Sequence, residues 1–115
     1  MTKPIRTTNT KCRAFVKTRS TFTNSNKQLF GRYETPLLYV VYSYGEHWPL
    51  FVWDGFDWYE NEEKCSPTTS HHHGYAHPHT PTIKLSRARI LDLIQLRRGM
   101  HRQMDDMQTR LGLAA

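Results

Sequence analysis

Between residues 37 and 60 the apolar and polar positions follow patterns that suit strands. Leu37-Leu38-Tyr39-Val40-Val41-Tyr42-Ser43 is a run of β-branched and aromatic residues. Tyr44-Gly45-Glu46 follows as a turn candidate. His47 to Trp53 reads as a second strand that begins near Pro49, because proline cannot donate to a ladder and sits at strand starts or edges. Asp54-Gly55 predicts a two-residue hairpin turn, since glycine tolerates the positive φ of a type I′ turn. Phe56 to Glu60 then alternates, with Phe56, Trp58 and Glu60 on one face and Asp57 and Tyr59 on the other. The pattern predicts a three-stranded antiparallel meander within a sheet of three or four strands.

From Ser86 the period lengthens. Leu93, Leu96, Met100, Met104, Met107 and Leu111 recur at helical spacing, and Ile90 and Ile94 widen the stripe at its start. Ser86 is a plausible N-cap. A long helix over about 86–112 is expected, packed either on the sheet or on a second copy of itself. Gly99 weakens its middle by about 1 kcal/mol relative to alanine. Two segments carry no sustained period. Residues 1–27 are rich in Thr, Ser, Asn, Lys and Arg and read as a basic arm, with Cys12 to Lys17 as a candidate edge strand. Residues 64–82 hold Thr68, Thr69 and Ser70, natural N-cap types, so a short helix limited by Gly74 and Pro78 is expected there. The fold class is α+β: an antiparallel meander, then the long C-terminal helix, in a single domain over 28–115 preceded by the arm.

Composition adds a chemical bias. The chain has 115 residues, one domain by length, and a formal net charge of +6. The charge is segregated. Residues 1–50 carry a net +6, residues 51–79 a net −4, and residues 80–115 a net +4. Positive blocks create a field that favours acidic partners, namely nucleic acid or an acidic protein. The N-terminus lacks the apolar core of a signal peptide, and no run approaches the ~20 apolar residues of a membrane span. The cytoplasm is therefore expected, with Cys12 and Cys65 reduced.

Arginine dominates the helix cations: Arg87, Arg89, Arg97, Arg98 and Arg102. Its planar fork matches phosphate bidentately. Lys11, Arg13, Lys17 and Arg19, with Lys3 and Arg6, add the arm. Together they form the candidate nucleic-acid-binding set. The bland alternatives are a solvated tail and a solvated helix face. Tyr39, Tyr42, Tyr44, Trp48, Trp53, Trp58 and Tyr59 would stack on bases if exposed, but core packing is the first expectation for most of them.

Five of the nine residues from 71 to 79 are histidine, and Cys65 precedes them. Imidazole and thiolate ligate zinc, but adjacent His71-His72-His73 point in different directions and the paired spacing of structural sites is missing. No metal and no cofactor is expected. A Cys65–His nucleophilic pair has no accompanying oxyanion or orienting motif. Asp57, Glu60, Glu62 and Glu63 read as a solvated acidic rim. A phosphate loop, a dinucleotide fingerprint and site-like paired carboxylates are all missing from the sequence, so an enzyme is not expected.

The middle of the chain resembles a group of small phage-encoded proteins. Tyr33-Glu34-Thr35-Pro36, the strand after it, and Lys64-Cys65-Ser66-Pro67-Thr68-Thr69-Ser70-His71-His72 carry the resemblance. The group's pattern is Lys-aromatic-Ser-x-Thr-Thr-Ser-basic-His. This chain departs from it at Cys65, where an aromatic is usual, and at His71, where Lys or Arg is usual. The resemblance implies a phage origin and a shared role for Lys64, Ser66, Thr68, Thr69, Ser70 and His72, of which hydroxyl capping of a short helix is the plainest form. The leading expectation is a phage accessory protein that binds nucleic acid through the arm and helix arginines, in the host cytoplasm and without a membrane. The alternatives are an inhibitor or adaptor docked on a host protein, concerned with defence or transcription, and a minor virion component. A homodimer through the C-terminal helix fits any of the three.

Overall fold

A computed structural model of the chain describes residues 3–64 and 66–112. It is an α+β domain built on one seven-stranded sheet. The strands are β1 (Ile5–Thr7), β2 (Phe22–Asn24), β3 (Leu29–Thr35), β4 (Leu38–Ser43), β5 (Pro49–Trp53), β6 (Trp58–Asn61) and β7 (Ile83–Leu85). They lie in sequence order across the sheet. The pairs from β2 to β6 are antiparallel, while β1 pairs with β2 and β6 with β7 in parallel. The expected meander is β4, β5 and β6, and Pro49 opens β5 as its missing N–H requires.

The helices are α1 (Arg13–Lys17), α2 (Pro67–Ala76) and α3 (Arg87–Arg110). Parallel neighbours need a crossover. A 3-10 turn at Asn9–Lys11 with α1 supplies one between β1 and β2, and α2 supplies the other between β6 and β7. The four strands involved run in the same direction, and both crossovers step the same way along the sheet. A crossover has one strongly preferred hand, so both helices land on the same face. Cys12, Val16 and Ala76 pack there with Tyr39, Val41, Phe51 and Trp58. The opposite side chains of the same strands, Leu38, Val40, Tyr42 and Val52, meet Ile90 and Ile94 of α3. Strand alternation thus divides the core into two halves, with β4 buried along its whole length.

Four expectations change, the first being the sheet, which has seven strands instead of three or four. The segment read as an arm or edge strand is part of the fold from residue 3 on, with Cys12, Val16 and Phe22 buried. Cys12 to Lys17 is not a strand: Cys12, Phe15 and Val16 fall at i, i+3 and i+4, one face of a helical turn laid on the sheet. Asp54-Gly55 is not a two-residue turn either. β5 and β6 are joined by four residues, and Asp54 Oδ1 accepts from the N–H groups of Phe56 and Asp57 at 2.9 and 2.8 Å. That side chain closes the loop together with one backbone bond, from the Asp54 N–H to the Asp57 carbonyl at 3.3 Å.

Candidate nucleic-acid interface

The candidate cations divide according to what already holds them. Arg13 points from α1 to the end of α2, where its Nε donates to the His77 carbonyl and its Nη2 to the Gly74 carbonyl, both at 2.7 Å. A cation on the last carbonyls of a helix satisfies acceptors that have no partner within the helix. Arg98 donates to Glu34 at 2.5 Å, and Arg97 reaches Asp54 at 3.4 Å. Glu34 also accepts from Arg32 and from the Tyr42 hydroxyl. Burial pushes the Glu34 carboxyl upward, but these donors outweigh it and hold it below its ordinary value. Asp54 is likewise held low, because the two loop N–H groups, Tyr59 and Arg97 outweigh its burial. Arg13, Arg97 and Arg98 are therefore committed within the fold.

Arg87 sits over the Trp48 ring and donates to the His47 carbonyl at 2.9 Å. Arg19 lies over Trp53, its centre 4.9 Å from the ring. Lys11, Lys17, Arg89 and Arg102 are exposed, and none forms an ion pair among the described residues. The structure does not bring these four together. Lys11 and Lys17 lie on the face covered by α1 and α2, whereas Arg89 and Arg102 ride on α3 across the sheet.

The N-terminal cations have company. From residue 3 to residue 27 there are seven Lys and Arg and no Asp or Glu. A groove of about 580 Å³ opens between β1 and α1, lined by Arg6 and Lys11 and by the apolar side of Ala14 and Phe15. Phe15 is half-buried, stacked on Phe22 at a centroid distance of 6.4 Å. Sequence reasoning placed Phe15 in a strand and so missed its position beside the cations. Of the seven rings considered for base stacking, Tyr39, Tyr42 and Trp58 are buried, Trp48, Trp53 and Tyr59 are half-buried, and Tyr44 is exposed.

The Thr-Thr-Ser/His segment forms α2. Its cap is Ser66, not one of the three hydroxyl residues first expected: Ser66 Oγ accepts from the Thr69 N–H at 3.1 Å, with Pro67 opening the helix. Thr69 is buried beneath it, and Ser70 bonds back to the Ser66 carbonyl. Thr68 and Lys64 are exposed. His71 faces solvent, while His72 is buried with Nδ1 2.8 Å from Ser43 Oγ. Burial, with the nearby His71, lowers the His72 pKa and keeps the ring neutral.

Glu60 is not part of a solvated rim. It is buried, and its two oxygens take His73 Nε2 at 2.9 Å and His77 Nε2 at 3.1 Å, while Thr82 donates at 2.6 Å. The His79 N–H donates to His77 Nδ1, which fixes His77 as the tautomer that donates to Glu60 through Nε2. Burial lowers the His73 pKa by more than Glu60 raises it. The cluster ties α2 and the loop after it to β6. Among the described residues, no group of three such side chains is arranged to hold a metal. Cys65, considered as a ligand and as a nucleophile, lies outside the described residues. Among the described residues, no helix is long and apolar enough to cross a membrane. No family model, curated protein or solved structure matches the chain.

Proposed function

We propose that this protein is a phage-encoded, non-enzymatic accessory protein that binds single-stranded nucleic acid in the host cytoplasm. The contact surface is the N-terminal one, and Arg6, Lys11 and Lys17 carry it. The observation behind this reading is the groove between β1 and α1, where exposed cations flank an aromatic ring in a segment without acidic residues. Cations track a phosphate backbone, and a ring edge or face accepts an unstacked base. The helix arginines are set aside as main contacts. Arg97 and Arg98 are spent on carboxylates, and Arg89 and Arg102 face the other side of the sheet.

Fluorescence anisotropy with labelled single-stranded DNA and RNA oligonucleotides tests the reading. The wild-type chain binds, the variant carrying Lys11→Ala and Lys17→Ala binds about tenfold more weakly, and Arg89→Ala with Arg102→Ala changes little. Absence of binding, or equal affinity for all three proteins, overturns it. Host-protein docking takes its place if a stoichiometric protein partner survives nuclease treatment in a pull-down while no oligonucleotide binds.

A further inference from the structure

α3 has 24 residues, and its buried side chains, Ile90 and Ile94, lie in its first two turns. None of the sixteen residues from Gln95 to Arg110 is buried, and only Arg97 and Arg98, half-buried on Asp54 and Glu34, reach back to the sheet. A helix of that length is marginal in water unless an apolar face is covered. Such a face is present. Leu96, Met100, Met104, Met107 and Leu111 are 61, 44, 59, 60 and 65% exposed. With Leu93 they form one stripe, turned roughly a quarter of a circle from the side that meets the sheet.

We propose that this stripe pairs antiparallel with α3 of a second copy of the chain, about a two-fold axis near Arg102. Three observations select that occupant. The first is symmetry in the spacing. Reversing the stripe about residue 102 brings Leu93 onto Leu111 and Met100 onto Met104, and leaves Leu96 one residue from Met107. An isologous two-fold contact needs such self-complementarity. The second is the period. Leu93, Leu96 and Met100 recur as Met104, Met107 and Leu111 after 11 residues. An 11-residue repeat keeps the seam facing one partner when the two helices take a slight right-handed supercoil.

The third observation is charge. Asp92 and Arg110 are 18 residues apart, about five turns, and so lie on one line beside the stripe. Both are exposed, and neither forms an ion pair among the described residues. Antiparallel pairing brings Asp92 of each copy within reach of Arg110 of the other. Parallel pairing would instead leave each Asp92 and each Arg110 level with its own copy on opposite sides of the seam, so the opposite charges would not meet. Methionines at the centre of the seam suit it, because an unbranched thioether fills irregular gaps between two helices.

Sedimentation equilibrium on the full chain at micromolar concentration tests the proposal. The wild type is expected to be a dimer, and Met104→Glu a folded monomer, since that side chain is exposed and circular dichroism reports retention of the sheet. Asp92→Arg weakens dimerisation by roughly tenfold. Adding Arg110→Asp to it restores the wild-type constant, which only the antiparallel arrangement explains. A monomer at all concentrations, a dimer indifferent to Met104→Glu, or a charge reversal that the second reversal fails to rescue would each overturn the proposal.

Discussion

His72 and Ser43 meet where α2 crosses β4, and neither is accessible to solvent to any useful degree. Burial is what makes this residue sensitive to acid. The unfolded chain takes up the proton near pH 6.5, the ordinary histidine value, while the folded chain resists it to lower pH. The unfolded state therefore binds more protons in that interval, and stability falls as pH drops below about 6.5 until the folded pKa is passed. His73 acts in the same direction. The carboxylates add a second loss at lower pH. Glu34, Asp54 and Glu60 are held below their ordinary values in the fold, so the stability they supply is complete above about pH 4.5 and lost as pH falls through their folded values. Urea denaturation is expected to show a smaller decline between pH 7 and pH 5.5 for His72→Gln than for the wild type. Equal declines would mean that His72 takes no part.

Among the elements, β3 fits closely against side chains from both of its neighbours, β2 and β4. Gly31 of β3 lies under Tyr39, whose hydroxyl donates to the Ser20 carbonyl at 2.6 Å and so fixes the loop after α1. A methyl group at position 31 would stand 2.3 Å from that hydroxyl and 2.6 Å from the Phe22 ring. Gly31→Ala is expected to destabilise the fold by about 1–3 kcal/mol in chemical denaturation. Legible in the sequence are the meander of β4, β5 and β6 and α3 by their pattern, and α2 by its hydroxyl residues. β3, the longest strand, does not stand out, because Gly31, Arg32 and Glu34 interrupt its apolar positions. β1, β2 and β7 have three residues each, too few for alternation to declare itself, and all three belong to parallel pairs connected through helices. In α1 the pair Phe15-Val16 has strand-forming residue types, and five residues are too short for a helical period to outvote them. The histidines and Glu60 were visible as residues, but their pairing was not, because it depends on how α2 lies across β6. Phe15 beside Arg6 and Lys11 escaped notice for the same reason: the groove exists only once β1 has paired with β2.

For the whole molecule, the sequence shows two basic blocks, and the fold brings them together at one point only. Lys11, Arg13 and Lys17 lie with α1 on one face of the sheet, and the C-terminal block lies on α3 against the other, where Arg32 and Arg98 share Glu34. Two of the five carboxylates of the acidic block between them are spent inside the fold, Asp54 and Glu60, which are buried and bonded to Arg97, His73 and His77, while Asp57, Glu62 and Glu63 stay exposed. A charge total of +6 therefore understates the field at the N-terminal surface and says little about α3, where carboxylates cancel two of the arginines.

The central claim is that phosphates are met by that N-terminal surface. Its most direct test is the salt dependence of single-strand binding, read as the slope of log affinity against log salt concentration. Each phosphate neutralised contributes about −0.7 to the slope on a single strand, so replacing Arg6, Lys11 and Lys17 together by alanine should flatten it by about 2. The paired replacement of Arg89 and Arg102 should leave it unchanged. A slope that stays the same without the three N-terminal cations, or flattens only when the two on α3 are removed, would contradict the account.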